Sequence, residues 1–281
     1  MKLKFITMGA FIALATTSIS AQGFKVGVEA GYDNVKFTSK EEYTEVDFYY
    51  DERESDVDEY ENSLNGFHIG PTFNFDFGKD ASGLGLKVGL FWQHASGKDF
   101  IYEGCENKNE YDEIQEDEEE WCGKWKSVMK HDAILLPIRL SYTYMLNDNF
   151  GVYAFAGPKL EIGVNLKNKN VWKDCEDDDV DKYVDIYNYF NGKYKYKEDG
   201  KDVTESEDNE DAEAYLNRFN IDLGLGFGVT YKNMYVQFSY DWGLLNRCKE
   251  KSGGESNGYY KYSWEEKMHN KNMAVSVGVT F

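Results

Sequence analysis

The chain has 281 residues, 51 of them Asp or Glu and 31 Lys or Arg, for a formal charge of −20; a surface of that sign repels phosphate backbones and argues against nucleic acid as a partner. It is nevertheless 41% apolar and 16% aromatic, too much buriable surface for a disordered acidic polymer. Twenty-two Tyr, 18 Phe and 26 Gly beside three Pro favour long strands over a loop-rich fold.

Lys2 and Lys4 precede an apolar run from Phe5 to Ala15, then small polar residues through Ser20 and Ala21. This is the order of a secretory signal peptide. Cleavage is expected after Ala21, leaving residues 22–281 as one β-barrel domain after a signal at 1–21. The run is too short to span a bilayer, and no later stretch approaches the ~20 apolar residues of a spanning helix. No Cys follows the cleavage position, so a lipid anchor is not expected.

From there, apolar residues recur with period two, the mark of strands with two different faces. In chain order the segments are Phe24 to Tyr32, Phe67 to Phe77, Leu84 to Trp92, Ile134 to Tyr144, Val152 to Val164, Phe219 to Val229, Val236 to Leu244 and Met273 to Phe281. Eight segments of about ten residues match a small transmembrane barrel, whose strands need ~9–11. The intervening positions are Gly or polar and include Glu29, Lys87, Arg139, Lys159, Glu161, Asp222 and Asp241. A soluble barrel would enclose the bulky face. Eight strands leave no interior room for it, so the bulky face meets lipid and the seven charges form an ion-pair network that plugs the lumen.

The connections agree. Links after the second, fourth and sixth segments are short, at 78–83, 147–149 and 232–233. Those after the first, third, fifth and seventh are long, at about 38–63, 96–129, 167–218 and 246–271. Short periplasmic turns alternating with long outer loops are the outer-membrane pattern. Phe24, Phe77, Tyr144, Phe150, Tyr231, Tyr235 and Phe281 gather near the periplasmic ends and are read as an interfacial girdle. The four long loops hold 42 of the 51 acids and 21 of the 31 bases, so the acidity belongs to the exposed face of a near-neutral barrel. In the third loop, Tyr183 to Tyr196 reads as a hairpin around Asn191-Gly192.

These residues resemble the outer-membrane β-barrel domain family of Gram-negative bacteria, of the eight-stranded porin-family or OmpA-like type. The resemblance is carried by the signal peptide, Ile134-Leu-Leu-Pro-Ile-Arg-Leu, Gly151-Val-Tyr-Ala-Phe-Ala-Gly-Pro, Tyr240-Asp-Trp-Gly-Leu and the terminal Val275-Ser-Val-Gly-Val-Thr-Phe. It implies an all-β, eight-stranded antiparallel transmembrane barrel in the outer membrane, among lipid and lipopolysaccharide. Val277, Val279 and Phe281 would be its signal to the barrel-assembly machinery. Peptidoglycan binding is not expected.

Four cysteines, Cys105, Cys122, Cys175 and Cys248, fall in the long loops. In an exported chain an even count points to disulfides, and four cysteines allow three pairings. Cys105 with Cys122 and Cys175 with Cys248 are favoured over free thiols; zinc is disfavoured because no Cys-x-x-Cys occurs. Acidic runs at Glu116–Glu120 and within Asp174–Asp185 lack the Gly and Glu positions of a calcium loop and read as solvated surface. His68, His94, His131 and His269 lie near the outer rim, the first and third facing inward. None has a Ser or acidic partner at a recognisable spacing, which argues against catalysis. No cofactor or metal site is expected. The leading functional expectation is a structural or surface-interaction role toward a host or envelope ligand, ahead of a narrow channel or a lipid-modifying enzyme.

Overall fold

The computed structural model describes residues 23–47, 50, 52–77, 82–105, 122–174, 182–185, 193–198, 201–206, 216–248, 252–256 and 260–281. The expected signal peptide, Cys175, the Asn191-Gly192 turn and the Glu116–Glu120 run lie outside the described residues.

Thirteen strands are described: β1 (Phe24–Asp47), β2 (Glu52–Asp76), β3 (Gly83–Gly89), β4 (Phe91–Cys105), β5 (Cys122–Met145), β6 (Phe150–Asp174), β7 (Lys182–Asp185), β8 (Lys193–Glu198), β9 (Lys201–Ser206), β10 (Phe219–Tyr231), β11 (Met234–Gly243), β12 (Ser252–Ser256) and β13 (Tyr260–Thr280). All pairings are antiparallel, and they close a ring. β1 pairs β2 on one side and β13 on the other, β5 pairs β6, and β6, β10, β11 and β13 follow in turn. β3 and β4 form one stave between β2 and β5. Their register against β2 continues unbroken from Thr72↔Gly89 to Ile69↔Trp92. The break at Leu90 falls beside Pro71 and Pro137, which cannot donate to the ladder. The barrel thus has eight staves, and a closed ring leaves no sheet edge in the bilayer.

Alternation survives in three dimensions. Val28, Tyr32, Phe67, Leu84, Trp92, Leu140, Phe227, Val236 and Val275 point outward and are exposed, forming the lipid-facing belt. Their neighbours in sequence point inward. Polar side chains close the periplasmic turns. Asn147 Oδ1 accepts from the amides of Asn149 at 3.0 Å and Phe150 at 2.9 Å, and a two-residue turn links Tyr231 to Met234 with Lys232 at φ 54°. One member of the expected girdle is misplaced. Tyr235 lies between outward Met234 and Val236, so the pleat turns it inward, where it is 8% exposed.

The larger departure concerns the long loops. β1, β2, β5 and β6 run 24, 25, 24 and 25 residues, more than twice what a bilayer requires. β1 and β2 stay in one register from Phe24↔Phe75 to Asp47↔Glu52, so most of the expected first loop is a projecting hairpin. At ~3.4 Å per residue, each such strand reaches well past the membrane. In the third loop, β7 pairs β8 with Tyr183 opposite Lys195, and β8 also pairs β9 with Glu198 opposite Lys201.

Candidate functional site

Inward-facing side chains fill the lumen in layers. Nearest the periplasm, Lys87 Nζ donates to Glu29 Oε2 at 2.7 Å and to Gln237 Oε1 at 2.7 Å. Gln237 Nε2 donates to Glu29 Oε1 at 2.9 Å and Tyr235 Oη to Glu29 Oε2 at 2.7 Å. The Lys87 ammonium also lies 3.9 Å from the Tyr235 ring centre, and Tyr153 Oη donates to Gln237 Oε1 at 3.0 Å. Both members of the buried ion pair thus have further polar partners, the condition under which such a pair is tolerated.

A second network continues outward. Arg139 is paired with Asp241 and donates to the carbonyl of Gly157. Gly157 itself has a φ of +154°, a region that favours glycine. Lys159 bridges Asp241 at 3.1 Å and Asp222 at 2.9 Å. Asn220 joins Asp222 to Asn270, and Asn270 Nδ2 donates to Glu161 Oε2 at 2.7 Å. Glu161 then meets Arg247 Nη1 at 2.7 Å. The structure therefore places all seven charges named from the sequence inside the lumen. Glu29 and Lys87 fall in one network and the other five in the next.

Glycines make the room. Gly226 lies against the ring of Phe155, Gly228 against Tyr153 and Gly278 against Tyr235, each so close that a Cβ would collide. The small residues of the inward face are the sockets of its large ones.

Three features are not legible from spacing. Arg247, from the segment after β11, is 1% exposed and reaches inward, its guanidinium 5.6 Å from the Phe37 ring. Above it, Val35, Phe37, Leu64, Ala95, Met129, Leu166, Leu216 and Cys248 form an apolar plug. His68 Nδ1 lies 2.8 Å from Asp33 Oδ2 and Nε2 3.2 Å from Ser276 Oγ, so this histidine does have acidic and Ser partners, contrary to expectation. Asp33 sits four residues past Glu29 on one face, a signal the sequence offers; Ser276 is 208 residues from His68, and only ring closure joins them. Glu29 Oε1 is also 3.4 Å from Nε2. Asp33, Glu29 and Ser276 thus surround the two ring nitrogens of His68 inside the buried network.

Of the other histidines, His131 is fully buried, 3.7 Å from Glu161, and His94 faces outward against Asp132 at 2.7 Å. Among the described residues no group of three or more His, Cys, Asp or Glu is arranged to hold a metal.

Between the networks lies a cavity of about 50 Å3 bordered by Glu29, Asp33, His68, Lys87, Arg139 and Asp241, room for a few waters. On the periplasmic side of Lys87 a vestibule of about 460 Å3 opens.

Cys248 corrects one of the two expected pairings, that of Cys175 with Cys248. It is a free thiol, held in the plug by its bridge to Leu216, because the chain after β11 turns inward and not out to solvent. Burial, with the Glu266 carboxylate beside it, pushes the thiol up to about 12. A maleimide is expected to leave Cys248 unlabelled in folded protein from about pH 7 to 9, where an ordinary thiol titrates, and to label it after denaturation, read by mass shift. A folded pKa above the unfolded one adds stability below about pH 9 that disappears as pH rises through about 12.

A closed antiparallel ring with an apolar exterior, a hydrogen-bonded charged interior and projecting hairpins defines a transmembrane β-barrel. The outer membrane protein β-barrel domain model matches residues 20–247, and the chain belongs to that family; its place is the Gram-negative outer membrane. No curated protein matches the chain. Among solved structures it is similar to Neisserial surface protein A (10% identity, 88% of this chain and 97% of that one, TM-score 0.28). It is also similar to Ail of Yersinia pestis, solved with the heparin analogue sucrose octasulfate (10%, 89% and 99%, 0.25), and to the outer membrane protease OmpT of Escherichia coli (10%, 94% and 100%, 0.30).

Proposed function

We propose that this protein is a structural and surface-interaction barrel whose projecting acidic hairpins meet a cationic partner outside the cell, and that it is neither a channel nor an enzyme. The observation that carries this is the filled lumen: among the described residues, two hydrogen-bonded networks under an apolar plug interrupt the path for solute, and the periplasmic vestibule ends blind on Lys87 and Tyr235. Chemistry is left to the hairpins. There β1 and its neighbours set acid against acid, with Glu41 between Asp58 and Glu266, Glu42 opposite Glu265 and Glu45 opposite Glu54. Like charges directly opposite destabilise a sheet, and a cationic partner removes that repulsion. The test is retention of cells displaying the barrel on polylysine-coated and on sulfated-glycan surfaces. Retention on polylysine is expected to fall when Glu41, Glu45, Glu54 and Asp58 are changed to Gln or Asn, and to weaken at high salt. Preferential capture by the sulfated glycan would overturn the proposal.

The remaining features fit an exported barrel. Cleavage after Ala21 would release the chain at the start of β1. Val277 and Phe281 point outward on the closing strand β13 and its end, accessible to an assembly machinery. Cys105 and Cys122 are register partners at the outer ends of β4 and β5, a placement that suits a disulfide in an oxidising compartment. Non-reducing peptide mass spectrometry is expected to find the cross-link between Cys105 and Cys122; two free thiols there would exclude it.

A further inference from the structure

On the outer wall, just above the lipid-facing belt, a hollow of about 410 Å3 is lined by Thr38, Lys40, Trp242, Lys267, His269 and Lys271, with one carboxylate, Glu59, opposite Lys40. The β1 and β13 members occupy the outward phase and face each other in register: Thr38 opposite His269, Lys40 opposite Lys267, and Lys36 opposite Lys271. Trp242 on β11 neighbours Lys271. Toward the periplasm, the next outward residues on β13 are Met273, Val275 and Val277, all exposed apolar groups. The hollow therefore sits where the belt ends and the headgroup region begins, the depth at which interfacial Trp is found.

Three observations ask for an anion there. First, Lys faces Lys twice across one strand pair, an arrangement that is unfavourable without a counter-charge. Second, the carboxylates at hand satisfy it incompletely. Lys36 pairs with Glu61 at 2.5 Å, Lys267 with Glu265 at 2.7 Å and Lys40 with Glu42 at 3.6 Å, all half-exposed pairs of the weakly held kind. Among the described residues Lys271 makes no ion pair, and the Glu61 carboxylate that acts on it electrostatically is already paired with Lys36. Third, two buried polar atoms in the middle of the block, Thr38 Oγ1 and His269 Nδ1, have no hydrogen-bond partner, and buried polar atoms are seldom left so. A hydroxyl, an imidazole nitrogen and ammonium groups around one hollow call for a ligand with several polar oxygens and negative charge, which is a phosphate.

We infer that this hollow binds the phosphate of an outer-leaflet glycolipid, with the acyl chains lying over Trp242, Met273 and Val275. The site is separate from the acidic hairpin tips and does not depend on what they bind.

The test is native mass spectrometry of the folded full chain in neutral detergent, titrated with bisphosphorylated lipid A and with its dephosphorylated form. The phosphorylated lipid is expected to bind at least about tenfold more tightly, since hydrogen bonds to charged groups are individually worth that ratio. K40Q/K267Q/K271Q is expected to abolish the preference while keeping heat-modifiable gel mobility, and T38V to weaken it by a smaller factor. K130Q/K167Q, on the wall formed by β5 and β6, is expected to leave it intact. Equal binding of the two lipids, an unchanged preference in the triple variant, or an equal loss in K130Q/K167Q would overturn the inference. Displacement by inorganic phosphate as readily as by the lipid would show a soluble-anion site and overturn the lipid assignment.

Discussion

Arg139→Met is expected to destabilise the barrel by about 3 kcal/mol, the low end of the cost of breaking a buried ion pair, because Lys159 still holds Asp241 at 3.1 Å. Arg139 and Asp241 are 4% and 3% exposed, so Asp241 stays out of contact with bulk solvent when the guanidinium is lost. The carbonyl of Gly157 loses its donor as well. The double variant Arg139→Met with Asp241→Leu is expected to recover most of the loss. It removes one cation and one anion, and Lys159 keeps Asp222 at 2.9 Å. Urea midpoints in lipid vesicles, followed by heat-modifiable gel mobility, separate the two cases. If the double variant is no more stable than the single one, Arg139 acts through its shape and not through charge pairing.

That Arg139 can be named from sequence shows what period-two patterning conveys. Leu136, Ile138 and Leu140 fix one face, so Arg139 must occupy the other, and the same logic places Glu29, Lys87, Lys159, Glu161, Asp222 and Asp241 in the lumen. It fails in three physical circumstances. Nearness to a membrane interface suggests a girdle position for Tyr235, although Met234 and Val236 already fix its inward phase. The hairpin extensions, such as Lys40 to Asp47 against Glu52 to Glu59, are polar on both faces, so no apolar alternation marks them. What signal they carry is the β-propensity of Tyr43, Thr44 and Val46, which pairing with β2 and β13 exploits. Arg247 and Cys248 lie past the end of β11, where the pleat no longer dictates direction. Their inward course depends on Leu216, Glu161 and Phe37, supplied by distant parts of the chain.

Removing the apolar plug is expected to expose Cys248 without opening a pore. Phe37 is 3% and Leu166 2% exposed, and truncating either to Ala costs about 2–5 kcal/mol through lost burial and the void left behind. In the Phe37→Ala, Leu166→Ala variant, maleimide is expected to reach Cys248 in folded protein at least about tenfold faster than in the parent, because labelling follows the population of open conformers. Planar-bilayer recordings of both proteins are nevertheless expected to stay silent. Beneath the plug lie the Glu161–Arg247 pair, the Arg139–Asp241–Lys159–Asp222 cluster and the Glu29–Lys87 pair roofed by Tyr235. Each is held by its own hydrogen bonds, so loss of the apolar layer does not undo them. An ion crossing would have to displace charges that are already paired, and its own dehydration in so narrow a lumen has nothing to offset it. Steady ion-selective openings in the parent protein would show that the networks conduct, and would return the barrel to the class of narrow channels. Openings confined to the plug variant would place the whole seal in Phe37 and its neighbours and make the charged layers structural struts alone.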